Sequence, residues 1–192
     1  MKQLKHEITY EMGERTYELS LIMKKTSQLN DNYINKFFLV AIYANWEAFI
    51  KNSIEYYINY LDKHNLLKDS YYTSLIINYE GLLERNLSEP EQIKSVLDLI
   101  DQIKTNPTLN SEKIKFKIMN FDNTNKLLKR FNIPEFNKKN RIQLNTLVKH
   151  RNWIAHGKQE ICLNDINTNK IREYINLIEE MMNEFILNIN QL

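Results

Sequence analysis

The sequence predicts an all-α fold of long helices, and three observations support the prediction. Only three glycines and three prolines occur in 192 residues, far below the usual ~7 % and ~5 %, so tight turns and hairpins have few places to form. The segment from Asp31 to about Lys63 contains neither residue, and its middle is apolar on nearly every side. The segment from about Thr168 to Asn190 carries an apolar stripe at helical spacing. At this length the chain is expected to form a single domain over residues 1–192.

The first half of the chain is predicted to form three helices. One covers about Lys5 to Ser27, and the second covers Asp31 to about Lys63. We expect the second to be the central helix, because a helix that is apolar all round is packed by neighbours on several faces. A third segment, from Ser70 to Arg85, supplies another neighbour. The apolar residues in the middle of the central helix are Phe37, Phe38, Val40, Ala41, Tyr43, Trp46, Phe49 and Ile50.

The region after Ser88 carries a helix start and then a change of pattern. The motif SEPE, from Ser88 to Glu91, is a capping box with proline in the first turn, so it predicts a helix from Glu89 to about Thr105. The motif KIKFKI, residues 113–118, alternates lysine with apolar residues. A period of two indicates an extended segment or a short edge strand.

Two further helices are predicted before the last one. Asp122 can cap a short helix that ends at Arg130, and Pro134 then breaks the chain. The next helix is expected from about Lys138 to His156. The apolar stripe of the last helix consists of Ile171, Tyr174, Ile175, Ile178, Met182, Phe185 and Ile189.

The net charge of +2 conceals one strongly basic segment. Residues 113–159 contain 12 lysines and arginines but only two acids, Asp122 and Glu135, so this segment carries +10 and the rest of the chain carries −8. Such segregation indicates a phosphate-binding surface, although a solvated charged face is the ordinary alternative. The segment includes the stretch HRNWIAHG, from His150 to Gly157, which is the densest group of chemically versatile side chains.

Arg151 lies within the apolar stripe of its predicted helix. At about 100° per residue, it falls within about 60° of the direction of Leu144, Leu147 and Val148. A desolvated guanidinium without a partner is costly. We therefore expect a carboxylate such as Glu47, a backbone carbonyl or an external anion beside it. A buried salt bridge and a functional site both remain open on position alone.

His156 lies five residues after Arg151, about 140° away round a continuous helix. Gly157 directly follows the apolar-periodic segment, which predicts a left-handed helix cap at this glycine. If the helix ends at His156, the imidazole can turn back towards Arg151. A histidine can then act as an acid or a base near neutral pH, beside an arginine suited to a phosphate.

Several classes of protein are disfavoured. The four histidines and the single cysteine, Cys162, show no metal-ligand spacing, and no glycine-rich phosphate loop occurs. We therefore expect no metal and no cofactor. The N-terminus carries acids where a signal peptide would be apolar, and the most apolar run, residues 37–50, falls short of the roughly 20 residues of a membrane helix. These features predict a soluble cytoplasmic protein without a membrane partner.

The stretch RNWIAHG, from Arg151 to Gly157, resembles the R-x4–6-H motif of the HEPN superfamily, with a polar residue, Asn152, directly after the arginine. The upstream stretch AIYANWEAFIKNSIEYYINYL, residues 41–61, is similar to the central-helix signature of the RiboL-PSP-like and MAE-like HEPN groups of bacterial conflict systems. The resemblance spans most of the chain. It implies a HEPN-like helical bundle with a long central helix.

The resemblance also implies an activity and partners. It implies a metal-independent endoribonuclease of a toxin–antitoxin, abortive-infection or other defence system, which acts on RNA as a homodimer with two motifs in one cleft. His156 would be the general acid and base, Arg151 would bind the scissile phosphate, and Asn152 would orient the phosphate or the histidine. The second rank of candidate RNA contacts consists of Lys149, His150 and Lys158.

Some roles stay open at this point. Glu47 is a candidate orienter of Arg151 or His156, or equally one half of a structural ion pair. Trp153 could stack on a base, although packing is the favoured role. In HEPN toxins that pair with a nucleotidyltransferase antitoxin, a tyrosine modified by AMP often lies two residues after the motif histidine. That position is Lys158 here, so the identity of an antitoxin is open. The alternative function is a non-catalytic HEPN-like module that binds RNA, a nucleotide or a protein.

Overall fold

The structure is a computed structural model that describes residues 1–64, 88–105, 118–157 and 166–190. Within these ranges the chain forms α-helices and no strand, which confirms the all-α prediction. The segments predicted at 70–85 and 113–117 lie outside the described residues, and Ile118 is not in a strand. The helices are α1 Lys2–Leu29, α2 Asn32–Lys63, α3 Glu89–Thr105, α4 Phe121–Arg130, α5 Arg141–Ala155 and α6 Thr168–Asn190, with a short 3-10 helix at Lys138–Asn140.

The chain divides into two compact units. The first unit consists of Met1–Ile54 and Lys117–Leu192, and the second consists of Glu55–Phe116. The first unit contains α1, α4, α5 and α6, together with most of α2. The second unit contains α3, together with the end of α2. The organisation of residues 1–192 as a single domain stays a prediction. None of the six described helices combines the length and the apolar content that crossing a membrane requires.

The core of the first unit is an aromatic cluster between α2, α6 and the chain before the 3-10 helix. The rings of Phe49 and Phe185 meet edge to face at 5.5 Å between centroids, and Trp46 lies 5.7 Å from Phe136. All four side chains are buried, and such pairs add about 0.5–1.5 kcal/mol beyond their burial. In the same unit α1 packs along α6, and α5 packs against α4 and α6. The cluster therefore fixes the central helix relative to the helix that supports α5.

The central helix is less completely covered than its composition predicts. Tyr43, Trp46, Phe49 and Ile50 are buried as expected, but 58 % of Phe37 is exposed. Phe37 precedes Trp46 by nine residues, which places it about 180° round the helix from the core face. Its ring contacts only the equally exposed ring of Tyr33, at 5.6 Å, among aromatic neighbours that the structure describes. The prediction of neighbours on several faces is therefore wrong at this end of α2.

The predicted helix starts are confirmed at one helix and corrected at another. At α3 the Glu91 carboxylate accepts hydrogen bonds from the Ser88 hydroxyl at 2.6 Å and from the Ser88 N–H at 2.9 Å, which together lower the pKa of Glu91. At α4 the cap is Asn120 and not Asp122, because the Asn120 Oδ1 accepts the Asn123 N–H at 2.8 Å. Asp122 lies in the first turn and pairs with Arg141 at 3.1 Å.

Candidate active site

One face of α5 forms most of the lining of a cleft of about 420 Å³. The lining residues of α5 are spaced by three or four positions or are adjacent, so they share one helical face. Asn120, at the start of α4, also lines the cleft. Because α5 packs against α4 and α6, the backbone positions from which these side chains extend are fixed. The residues that α5 contributes are Asn145, Val148, Lys149, Asn152, Trp153 and His156.

Two aromatic residues of the central helix hold the chain that leads to Asn120. The Tyr43 hydroxyl accepts the Met119 N–H at 3.0 Å, and the Trp46 Nε1 donates to the Met119 carbonyl at 2.9 Å. Tyr43 and Trp46 are both buried, and burial raises the pKa of the Tyr43 phenol. The central-helix residues that carry the family resemblance therefore position one wall of the cleft.

Replacing Tyr43 with phenylalanine is expected to lower the free energy of unfolding by about 1–3 kcal/mol. The change keeps the ring but leaves the buried Met119 N–H without its acceptor. Urea unfolding followed by circular dichroism measures the effect. Tyr10→Phe is the matched control, because 64 % of Tyr10 is exposed on α1. Equal stability of the Tyr43→Phe and Tyr10→Phe proteins would contradict the role of the Tyr43 hydroxyl.

Arg151 is half-buried and lies beside the cleft, against the central helix. Its guanidinium carbon is 5.0 Å from the centroid of the Tyr43 ring, and its Nη1 donates to the Asn152 Oδ1 at 3.0 Å. Among the described residues, no carboxylate forms an ion pair with it. The buried salt bridge considered from the sequence is thus not formed there. A cation that contacts an aromatic face and one amide oxygen keeps donors available for an anion.

The structure does not bring Glu47 to Arg151 or to His156. The Glu47 carboxylate pairs with Lys51, four residues further along α2, at 2.9 Å. Such a pair forms readily because residues four apart are neighbours on a helix surface. Glu47 still acts on the site at a distance, since its charge raises the pKa of Tyr43 whereas the charge of Arg151 lowers it. The expected orienting contact of Glu47 is therefore replaced by a pair within its own helix.

The three second-rank RNA contacts have different surroundings. The His150 Nδ1 lies 3.1 Å from the Tyr174 hydroxyl on α6, so this half-buried histidine packs against α6 and does not line the cleft. Burial raises the pKa of Tyr174 to about 12, so the phenol stays protonated at neutral pH. Lys149 is exposed, lines the cleft and places its Nζ 4.5 Å from the centroid of the Trp153 ring. Lys158 lies outside the described residues.

His156 caps α5 at the predicted helix end. Its N–H donates to the Asn152 carbonyl at 3.0 Å, and Gly157 follows with a φ of 63°. This left-handed glycine confirms the predicted cap. The exposed imidazole shares the cleft with Asn152 and forms no hydrogen bond with Arg151 among the described residues. The expected turn of the imidazole towards Arg151 stays a prediction, and Asn152 is hydrogen-bonded to both residues, through its side chain to Arg151 and through its carbonyl to the His156 N–H.

The two described glycines are expected to respond to alanine with opposite signs. Neither has an atom within 4 Å of an added Cβ, so backbone conformation alone decides the outcome. Gly157→Ala should destabilise the fold by about 1 kcal/mol because of its left-handed backbone, whereas Gly13→Ala within α1 should stabilise it by about 0.5–1 kcal/mol. Thermal unfolding measures both changes. Gly157→Asn, which tolerates the left-handed region, should restore most of the loss.

Two asparagines of the cleft were not predicted as site residues. Asn145 precedes Asn152 by seven residues, so its place on the same face of α5 could have been found from helical spacing. Asn120 carries no such signal, because its place beside α5 depends on tertiary hydrogen bonds, of which Tyr43 and Trp46 make two at Met119. The Asn145 Oδ1 then joins the two helices by accepting the Phe121 N–H at 3.0 Å.

The lining of the cleft favours binding of an anion. Among the residues that the structure describes, it includes Lys149 and His156 but no carboxylate, and the Arg151 guanidinium is linked to it through Asn152. Within the described parts of the chain, no group of three or more histidine, cysteine, aspartate or glutamate residues could hold a metal ion. The groups that are present can bind a phosphate and transfer a proton.

Comparison with known proteins assigns the chain to a family. The model of the RiboL-PSP-HEPN family matches residues 10–191. Searches of curated proteins and of solved structures give no significant match. Because the matched region includes both the central helix and the cleft, the chain belongs to the RiboL-PSP-HEPN family.

Proposed function

We propose that the protein is a metal-independent endoribonuclease of a bacterial toxin–antitoxin, abortive-infection or other defence system. The observation that carries the proposal is the hydrogen bond from the Arg151 Nη1 to the Asn152 Oδ1 at 3.0 Å. This bond joins the Arg151 guanidinium to the cleft that contains His156. No carboxylate among the described residues pairs with that guanidinium. Asn152 thus connects the proposed phosphate binder, Arg151, with the proposed proton-transfer group, His156. Its side chain accepts a hydrogen bond from Arg151, and its carbonyl accepts the His156 N–H.

The proposed reaction is attack of the RNA 2′-oxygen on the adjacent phosphorus. The 2′-oxygen loses its proton to a base and forms a bond to phosphorus, and the bond from phosphorus to the 5′-oxygen breaks as that oxygen takes a proton from an acid. His156 serves as the acid or base. Arg151 stabilises the negative charge that grows on the phosphate oxygens, and Asn152 orients the phosphate or the histidine.

Two proton-transfer groups are needed, but the motif supplies one histidine per chain. A homodimer with both motifs in one cleft would bring the second histidine to the same phosphate. We therefore propose a homodimer as the active form, with RNA as substrate and an antitoxin or another defence protein as partner. The basic segment supports RNA binding, although ion pairs of Lys139 with Glu180 and of Arg141 with Asp122 neutralise part of it.

The purified protein is expected to cut single-stranded RNA in the presence of EDTA. Because the proposed nucleophile belongs to the RNA, the products should carry a 2′,3′-cyclic phosphate, or the monophosphate from its hydrolysis, and a 5′-hydroxyl. Gel analysis of end-labelled RNA and mass spectrometry of the products measure both features. Loss of cleavage in EDTA that returns with Mg²⁺, or products with a 3′-hydroxyl, would contradict the mechanism.

The contact between Arg151 and Tyr43 favours a second candidate function. A guanidinium 5.0 Å from a buried ring is also suited to a packing role, and the module would then bind RNA, a nucleotide or a protein without cleaving it. Binding of RNA by wild-type protein without any cleavage, in EDTA or with Mg²⁺, would support this alternative.

A further inference from the structure

We propose that the cleft binds the base of the nucleotide next to the scissile phosphate and selects keto bases, uracil and guanine, over adenine and cytosine. The inference rests on the proposed function, because it assigns the substrate preference of that same site. It depends on the asparagine side chains of the lining, whose carbonyl oxygens are occupied and whose NH₂ groups are available.

Three asparagines line the cleft, and each one already uses its carbonyl oxygen. The Oδ1 of Asn120 accepts a backbone N–H at 2.8 Å, that of Asn145 accepts another at 3.0 Å, and that of Asn152 accepts the Arg151 Nη1–H at 3.0 Å. Since all three partners are donors only, rotating any of these amides would place an NH₂ group against a donor. The orientation of each amide is therefore fixed by its partner.

The amide NH₂ groups of these asparagines remain available to a ligand. None of them has a hydrogen-bond partner among the described residues, and none is a buried unsatisfied atom. The Lys149 ammonium adds further donors, and no carboxylate occurs among the described residues of the lining. The side-chain groups that the described lining residues can still offer are thus mainly donors, which match the acceptor oxygens of a ligand.

The size and the lining of the cleft favour a base over a second phosphate. Its volume of about 420 Å³ exceeds the lower end of the range for small-molecule pockets, roughly 300 Å³. Trp153 lines it with a half-buried indole whose ring the Lys149 ammonium approaches. Aromatic side chains are the usual stacking surface for unpaired bases of RNA. A flat ligand with carbonyl oxygens at its edge can stack on the indole and accept hydrogen bonds from the amide donors.

The four bases differ at the position that would face these donors. Guanine presents the acceptors O6 and N7, and uracil presents the acceptor O4, as thymine does in DNA. Adenine shares the acceptor N7 with guanine, but adenine and cytosine place an amino donor, N6 or N4, where the keto bases have an oxygen. An amino group would meet the asparagine NH₂ groups without an acceptor, which weakens binding because a desolvated donor is left unpaired.

Binding can be measured apart from cleavage by NMR on the His156→Ala protein. The chain has two tryptophans, so spectra of isotopically labelled protein should show two indole N–H signals. Trp46 donates to Met119 inside the core, whereas Trp153 lines the cleft and should report on a stacked base. Titration with the 3′-monophosphates of uridine, guanosine, cytidine and adenosine should shift the Trp153 signal, with affinities about tenfold higher for the two keto nucleotides.

The asparagine donors are tested by isosteric substitution with aspartate. Asn120→Asp and Asn145→Asp keep the oxygen that accepts the backbone N–H, but each replaces the NH₂ group with a charged acceptor. Affinity for uridine and guanosine 3′-monophosphates should fall about tenfold or more, and the preference over cytidine should shrink. Asn167→Asp is the matched control, because Asn167 also caps a helix, by accepting the Lys170 N–H at 3.0 Å, and does not line the cleft.

The outcomes separate this inference from the proposed function. Equal affinity for the four nucleotides, or a preference that survives both aspartate substitutions, would overturn the selection of keto bases even if the wild-type protein cleaves RNA. A preference that both substitutions remove and the Asn167→Asp control retains would support it, whether or not cleavage occurs. A general loss of affinity in the control as well would assign the effect to added negative charge and overturn the role of the amide donors.

Discussion

Replacing His156 with alanine is expected to lower the rate of RNA cleavage by about 10²–10⁴-fold, because the cleft then loses its proton-transfer group. The imidazole is exposed at the end of α5, and its backbone makes the cap hydrogen bond to Asn152. Alanine keeps that backbone bond, so the fold should be retained. Single-turnover cleavage of a labelled RNA gives the rate, and circular dichroism with thermal unfolding tests the fold.

His6→Ala is the matched control for this experiment. His6 is exposed on α1 and does not line the cleft, so its loss should leave the cleavage rate unchanged. If the His156→Ala and His6→Ala proteins cleave RNA equally fast, His156 is not the proton-transfer group. If both are inactive and the wild-type protein is active, the loss does not depend on the position of the histidine, and the assignment of His156 fails.

Replacing Arg151 with lysine is expected to lower the cleavage rate by about 10²-fold while the stability changes by less than about 1 kcal/mol. Lysine keeps the positive charge but loses the planar fork that suits both a phosphate and the face of Tyr43. Loss of one donor to the transition state costs about 10²–10³ in rate. The structure shows no ion pair of Arg151 among the described residues, so no buried carboxylate is left unpaired by the change.

Cleavage kinetics and urea unfolding on the same preparations separate a catalytic role from a packing role. Arg141→Lys is the control, since Arg141 is exposed and pairs with Asp122 at the surface. A large loss of stability for Arg151→Lys with an unchanged rate per folded molecule would show that Arg151 mainly supports the packing of α5 against Tyr43. It would also remove the phosphate-binding role proposed for the guanidinium.

Helix positions were predictable where local signals decide them. The capping box at Ser88 and the glycine at Gly157 satisfy backbone groups within a few residues, so the start of α3 and the end of α5 follow from the sequence. The exposure of Phe37 was not predictable in this way. Which face of α2 is covered depends on where other helices pack, and the composition of α2 contains no information on that.

The candidate site was predictable to a similar degree. The motif placed Asn152 and His156 on adjacent turns of one helix, and the structure puts both in one cleft. The partner of Arg151 was not predictable, because Glu47 has a nearer lysine on its own helix. Asn120 could not be assigned to the site either, since its position depends on hydrogen bonds that span more than 70 residues of sequence.

The Tyr43 side chain contacts two parts of the candidate site at once. Its hydroxyl holds Met119, next to Asn120, while its face supports the Arg151 guanidinium. A ligand that draws Arg151 towards a phosphate therefore acts on the same ring that holds the residue before Asn120, which lines the cleft. Substitutions at Arg151 and at Asn120 should be energetically coupled rather than additive, because contacts through a shared partner, here Tyr43, produce such coupling. Phosphate binding and base selection would then be thermodynamically linked through a single phenol.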